Sequence, residues 1–243
     1  MSYIVGCVFP IDAARQDHFI EQARKAVPAM RRHGALAVVD AIGDDVPPGK
    51  VTDFYRSVAA REGESIGFGW IAWPDAAARA EGEAAMMADP GMDMSDMAFD
   101  GQRMIFGGFE PVVEEGPGGD FGYVDGFVLA VPTANRDIFI RHCRQAAPLF
   151  LDNGATRHVE CWGVDVPQGK VTDFQRAVQA RPDETVCFSW IEWPDKATRD
   201  AGLKQVFQQM ESGGDDNPMP FDGQRMIYGG FAVVPQGNSH GDA

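Results

Sequence analysis

Positive charge is scarce in this 243-residue sequence: 21 Lys and Arg stand against 36 Asp and Glu, a formal net charge of -15. Such a chain repels nucleic-acid phosphates and anionic lipid, and no basic stripe offsets the repulsion. Neither nucleic acid nor membrane is therefore an expected partner. No stretch approaches the ~18 consecutive apolar residues of a spanning helix. The opening MSYIVGCVFPIDAARQ lacks a basic leader before a long apolar run, so a cytoplasmic location is expected. Cysteine is sparse. Cys7, Cys143, Cys161 and Cys187 are irregularly spaced, as buried free thiols would be. No C-x-x-C pair, H-E-x-x-H or calcium-loop spacing occurs, so no metal site is expected. G-x-S-x-G and G-x-G-x-x-G are missing too, which removes the hydrolase elbow and the dinucleotide fingerprint. No cofactor is expected. The charge favours a neutral or cationic small molecule, or a protein.

What the sequence does have is duplication. YIVGCVF at 3–9 returns as YVDGFVL at 123–129, and GDDVPPGKVTDF at 43–54 as GVDVPQGKVTDF at 163–174. FGWIAWPD at 68–75 returns as FSWIEWPD at 188–195, and FDGQRMIFGGF at 99–109 as FDGQRMIYGGF at 221–231. The offset is 120 residues for the first three blocks and 122 for the last. Two long units suggest a fused, pseudo-symmetric dimer rather than a solenoid. The expected division is 1–115, a Gly- and Pro-rich linker at 116–122, 123–236, and a polar tail at 237–243. Further homo-oligomerisation is left open.

Within a unit, residues 3–10 alternate as a strand. Phe19, Ala23, Val27 and Met30, with Phe139, Cys143, Ala147 and Phe150, make helical stripes. Pro28 and Pro148 are expected to bend or end those helices, and Gly34 and Gly154 to stop them. Strands follow at 35–42 and 155–162, and at 65–73 and 185–193. Helices start near Pro74 and Pro194. Last strands lie at 103–113 and 225–234. The order β-α-β-β-α-β is α+β and ferredoxin-like. Helices would cover one sheet face and the partner unit's sheet the other.

The repeated loop imitates a phosphate loop poorly. Five residues separate Gly43 from Gly49, and Val51 stands where a hydroxyl should be. Pro47, Pro48 and Pro167 remove N–H donors. A rigid turn is the better reading, with Asp53 and Asp173 as caps and Phe54 and Phe174 as anchors. The rim of a cavity is the functional alternative for Asp173 and Phe174. In the Met-rich run MMADPGMDMSDM, methionine is read as a soft, gap-filling surface rather than a metal or haem loop.

Each copy resembles a whole member of the family called domain of unknown function 1428, within the dimeric α/β-barrel superfamily. Tyr123, Asp125, Gly126 and Phe127 carry the match, with Glu160 through Gly163 and Asp165 through Phe174. So do Phe188 through Trp190, Trp193, Pro194, Arg199, Asp200 and Phe221 through Phe231. The resemblance implies ferredoxin-like units whose sheets pair around a central cavity, and it implies no particular reaction. Copy one departs from the pattern, with Val5 for the aspartate, Asp40 for the glutamate, Ile42 for the tryptophan, and Gly67 and Gly69 in the third strand.

Strand parity groups Tyr123, Asp125, Phe127 and Leu129 on one face, and Thr156, His158, Glu160 and Trp162 on one face. We assign both faces to the space between the sheets. Glu160, Asp125 and His158 are the candidate catalytic residues: paired carboxylates raise one another's pKa, and a histidine relays the proton. Arg225 is a candidate two-pronged carboxylate binder, and Trp162 and Trp190 are candidate wall residues. The blander reading pairs Glu160 with Arg225, and Asp40 with Arg103, as structural ion pairs. Three functions stay in competition: a small-molecule binder, a small isomerase or cofactor-independent oxygenase using a buried carboxylate, and a structural or protein-contact domain.

Overall fold

A computed structural model describes residues 2–89, 96–213 and 217–235. Residues 90–95, half of the Met-rich run, and the tail with His240 lie outside these. Copy one comprises β1 (Tyr3–Asp12), α1 (Gln16–Arg32), β2 (Ala37–Asp45), α2 (Phe54–Ser57), β3 (Glu64–Trp73), α3 (Ala76–Ala88) and β4 (Ile105–Glu115). Copy two repeats them as β5 (Tyr123–Pro132), α4 (Arg136–Leu151), β6 (Arg157–Asp165), α5 (Phe174–Ala177), β7 (Glu184–Trp193), α6 (Lys196–Gly213) and β8 (Ile227–Val233). The long helices bury the stripes Phe19, Ala23, Val27 and Phe139, Cys143, Ala147. They run past Pro28 and Pro148 to Arg32 and Leu151, so proline ends neither at once. Gly34 and Gly154, at φ of +101° and +104°, turn the chain out.

The eight strands close into an antiparallel barrel in the order β1-β3-β2-β8-β5-β7-β6-β4. Each unit contributes four neighbouring strands, and the seams are β2 with β8 and β4 with β6. The seams share one register. Ala41, Ile42, Gly43 and Asp45 face Val233, Ala232, Phe231 and Gly230. Cys161, Trp162, Gly163 and Asp165 face Pro111, Glu110, Phe109 and Gly108. Offsets of 120 and 122 map one set onto the other, bulge included. The pseudo-twofold axis is thus written into the hydrogen bonds, and no sheet edge stays open.

Aromatic rings fill the inside. Phe68 stacks on Phe188 at 4.7 Å between centroids, and Trp70 on Trp190 at 4.2 Å. Gly126 exists for this packing: a Cβ there would lie 2.6 Å from the Phe68 ring. The inward positions are Val124, Val128, Val159, Cys161, Val186, Phe188 and Trp190, with their copy-one partners. The parity assignment made from sequence is therefore reversed. Asp125, His158, Glu160 and Trp162 point outward, toward the helices, and the space between the sheets is aromatic core. Parity fixes which residues share a face, but here both faces are buried, so polarity was a poor guide to which one is inside.

The repeated loop closes one end of this barrel. Phe54 meets Phe231 and Phe68 edge-on at 5.3 and 5.9 Å, and Phe174 meets Phe109 at 5.6 Å. Thr52 donates across the copies to the Ala177 carbonyl at 2.5 Å, and Thr172 to that of Ser57 at 2.6 Å. Asp173 caps α5, accepting from Arg176 N at 2.8 Å and from Gly169 N at 3.2 Å. Asp53 does the same for α2. A Cβ on Gly49 or Gly169 would sit 1.9 Å from a threonine carbonyl. The loop's sequence is explained by clasping two copies, and Asp173 and Phe174 are spent on that task.

Candidate functional site

Glu160 and His158, Asp125, and Arg225 fall into three separate groups in copy two. The first lies beneath α4. His158 Nε2 and Glu160 Oε1 are 2.7 Å apart, two residues along β6, and Ser189 of β7 donates to the other carboxylate oxygen. Glu160 and Ser189 are register partners, so the strand pairing itself delivers the hydroxyl. All three are buried. His158 Nδ1, on a side chain 5% exposed, has no hydrogen-bond partner. Phe150 sits edge-on to the imidazole at 5.7 Å, and Phe139 tilts against Trp162 at 6.0 Å. Burial, then the charge of Glu160, pushes the Cys143, Cys161 and Cys187 thiols far up, so they are not thiolate nucleophiles at neutral pH.

Asp125 belongs to a second group. It stands in one row with Ile191 and His158, so two strand spacings, roughly 9–10 Å, part it from the histidine. Arg199 of α6 grips Asp125 Oδ1 through Nε at 2.9 Å and Nη2 at 2.7 Å, and Trp193 Nε1 donates to Oδ2 at 2.9 Å. Burial pushes the Asp125 carboxyl up, and Arg199 and Trp193 pull it down; Glu160 plays no part. The expected Asp125–Glu160 carboxylate pair is not formed. Arg199 also reaches Asp200 at 3.0 Å and Asp45 of copy one at 2.6 Å, so this group ties the units together.

Arg225 forms the third group and pairs with neither Glu160 nor an open space. It lies in a short turn before β8, gripping Glu184 with Nη1 at 2.7 Å and Nη2 at 2.6 Å and Asp222 with Nε at 2.9 Å. Its Nη1 also holds the Gln179 carbonyl at 2.8 Å, where φ is +49°. Copy one repeats this with Arg103, Glu64, Asp100 and Ala59, not with Asp40. The Arg225 hydrogen bonds hold Glu184 below the usual carboxylate range. Trp190 is inside the barrel and donates to Glu192 at 2.9 Å, whereas Trp162 lies outside it, beneath α4.

Copy one lacks the first group: Val38, Asp40, Gly69 and Ala23 occupy the places of His158, Glu160, Ser189 and Cys143. Asp40 lines a small crevice with Ala23, Arg24, Val27, Val234 and Pro235, and burial pushes it up to about 6. Copy one also lacks the acceptor for its indole, and Trp73 Nε1 is buried without a partner. Sequence reasoning passed over Ser189, Cys143 and Glu184. Ser189 was findable as the residue that breaks the match with Gly69 beside a strand carboxylate. Among the described residues, no cluster of three or more His, Cys, Asp or Glu side chains is arranged to hold a metal.

Two ferredoxin-like units closed into one eight-stranded barrel make this a tandem dimeric α/β-barrel protein. The chain belongs to the family described as protein of unknown function (DUF1428), whose model matches twice, at residues 2–101 and 122–223. Similar curated proteins are the "Uncharacterized protein YbaA" of Escherichia coli K12 and that of Shigella flexneri. Each is 53% identical over 112 residues, 46% of this chain and 96% of its own length, so one relative spans one copy. Among solved structures, an anthrone oxidase-like protein superposes with a TM-score of 0.53 at 15% identity, covering 100% of this chain and 96% of its own. A putative monooxygenase from Lactobacillus acidophilus NCFM gives 0.52 at 11%, covering 97% of each chain. At such identities the likeness is one of fold. No described helix is long and apolar enough to cross a membrane.

Proposed function

We propose that copy two binds a small molecule beneath α4, with His158 as the contacting acid–base group and Glu160 and Ser189 as its supports. One observation carries this: a buried imidazole, held by a carboxylate through Nε2, leaves Nδ1 unmatched. Native structures rarely bury a polar atom without giving it a partner. A carboxylate on one ring nitrogen sets the tautomer and orients the other nitrogen for proton exchange. The fold does not require the group, because copy one builds the same strands and helix from Val38, Asp40 and Gly69.

A second reading, a protein-contact domain, is favoured by the filled barrel together with exposed Phe207, Met210 and Met219. Screening a small-molecule fragment library by NMR on the ¹⁵N-labelled chain separates the two. Shifts clustered at His158, Glu160 and Ser189, and lost in Glu160→Gln, support the site. A library that leaves those resonances unmoved refutes it.

A further inference from the structure

We infer that the linker is a displaceable plug: Phe121 seals the barrel end opposite the clasp, and when it lifts, a flat aromatic molecule takes its place on the face of Trp70. The inference is independent of the reading of His158, because it concerns the inner face of the barrel and not the face covered by helices.

The two ends of the barrel are closed in different ways. The inward rows of β3 and β7 start from Phe68 and Phe188, which meet Phe54 and Phe174 of the clasp at 5.9 and 6.0 Å. They run on through Trp70 and Trp190 to Ala72 and Glu192. The clasp end is closed twice over, by two phenylalanines that are wholly buried. At the far end the ring that lies on the Trp70–Trp190 stack is Phe121. It is only partly buried, packs against this core, and lies nearly parallel to Trp70, with 9° between planes and 6.2 Å between centroids. It comes from the linker and not from a strand of either unit, so a barrel of two separate units would lack it.

Backbone bonds tie the linker at two points. Gly118 N donates to the Thr156 carbonyl at 3.0 Å, and Gly122 N to those of Trp193 and Pro194 at 3.1 and 2.9 Å. Gly116, Gly118 and Gly119, at φ of +98°, +68° and +136°, bring the chain round with no side chain in the way. The ring contact is what seats Phe121, and a stack of this kind is weak enough for another ring to replace. The space required is that of the Phe121 ring itself, so the slot needs no standing cavity. Beside it lies Glu192, 2% exposed, which accepts from Trp190 Nε1 at 2.9 Å with Arg157 Nη1 4.0 Å away, and burial pushes its carboxyl up. Ala72 and Ala37 hold the equivalent places of Glu192 and Arg157 in copy one. The slot is therefore apolar on one side and charged on the other, so an entering ring meets two different walls.

The test has two arms, both on the full chain. Amide hydrogen exchange on the unaltered protein compares Gly118 and Gly122 with Ser57 and Ala177, whose N–H groups pair inside the clasp with the Asp53 and Asp173 carbonyls. The linker amides should exchange at least ~100-fold faster, by local opening. The second arm titrates protein ¹⁵N-labelled at tryptophan with unlabelled indole. A plug closed roughly nine-tenths of the time lowers apparent affinity about 10-fold. Phe121→Ala should therefore bind indole at least ~10-fold more tightly than the unaltered chain, moving the Trp70 and Trp190 Nε1–H signals and leaving those of Trp73, Trp162 and Trp193 in place. Phe121→Leu, which keeps an apolar side chain but not the flat ring, takes its place if the alanine variant does not fold. Linker amides protected as well as those of the clasp overturn the plug. Indole binding no more tightly after the substitution, or moving only the three outer tryptophans, overturns the slot.

Discussion

Asp125→Val is a substitution that the chain has already made in its other half, where Val5 holds the equivalent place. In copy two it removes both Arg199 hydrogen bonds to Oδ1 and the Trp193 bond to Oδ2. Leaving a buried charge wholly unpaired costs about 3–5 kcal/mol, but Arg199 keeps Asp45 and Asp200, which halves the loss. The indole N–H of Trp193 becomes an orphan, as that of Trp73 already is, and this adds about 1–3 kcal/mol. Relief of the buried carboxylate gives some of this back. The expected net loss is about 2–4 kcal/mol, or roughly 5–15 °C in midpoint for a chain this size. Urea unfolding followed by tryptophan fluorescence measures it, and an Arg199→Met cycle should show a coupling of at least ~1 kcal/mol. The reverse change, Val5→Asp, supplies Trp73 with an acceptor but buries a new carboxylate, so it should alter stability by no more than ~1 kcal/mol. A loss below ~0.5 kcal/mol for Asp125→Val, or no coupling to Arg199, would refute the reasoning.

The remaining expectations concern titration, the clasp and the linker. Asp40 titrates at about 6 in the folded chain and near ~3.9 unfolded, so the folded state holds the extra proton between those values. Stability should therefore fall by roughly 2–3 kcal/mol as pH rises from about 4 to 6, and Asp40→Asn should flatten that slope in pH-dependent urea melts. Glu184 and Glu64 are lowered by their arginines, so their contribution has the opposite sign and is lost as pH falls below about 4.5. Phe174→Ala should cost about 3–5 kcal/mol by opening the plugged end, while Thr172→Val should cost about 1–3 kcal/mol through the abandoned Ser57 carbonyl; calorimetry distinguishes them. A protease site inserted between Gly118 and Gly119 should give two fragments that co-elute on size exclusion after cleavage, because both seams and the aromatic core remain; separate elution would overturn the one-barrel reading.

The duplication made most of the architecture readable: element order, pairing of units and the capping aspartates all follow from the repeated blocks. The inside of the barrel did not follow. Strand alternation gave Asp125, Glu160 and His158 their shared parity, yet polarity suggested the wrong face because helices bury the outer one as deeply as the rings bury the inner. Gly6 and Gly126 held the missing signal. Each is a small residue in a strand where a Cβ would strike Phe188 or Phe68, which marks the crowded side. Arg225 was misread for a different reason: its partners are Glu184, the first residue of β7, and Asp222 in a turn, and strand parity does not say which strand end a turn residue will meet. Ser189 was passed over because its role comes from a neighbouring strand, through a register that the sequence does not state.

The matching seams have an evolutionary consequence. A barrel assembled from two separate identical units would present every side chain twice, and any substitution would be felt on both sides of the axis at once. Joining the units in one chain removes that constraint while keeping the interlocking geometry. Val5, Val38 and Gly69 are what such freedom permits: one half can shed its polar groups and serve as scaffold, and the other can specialise.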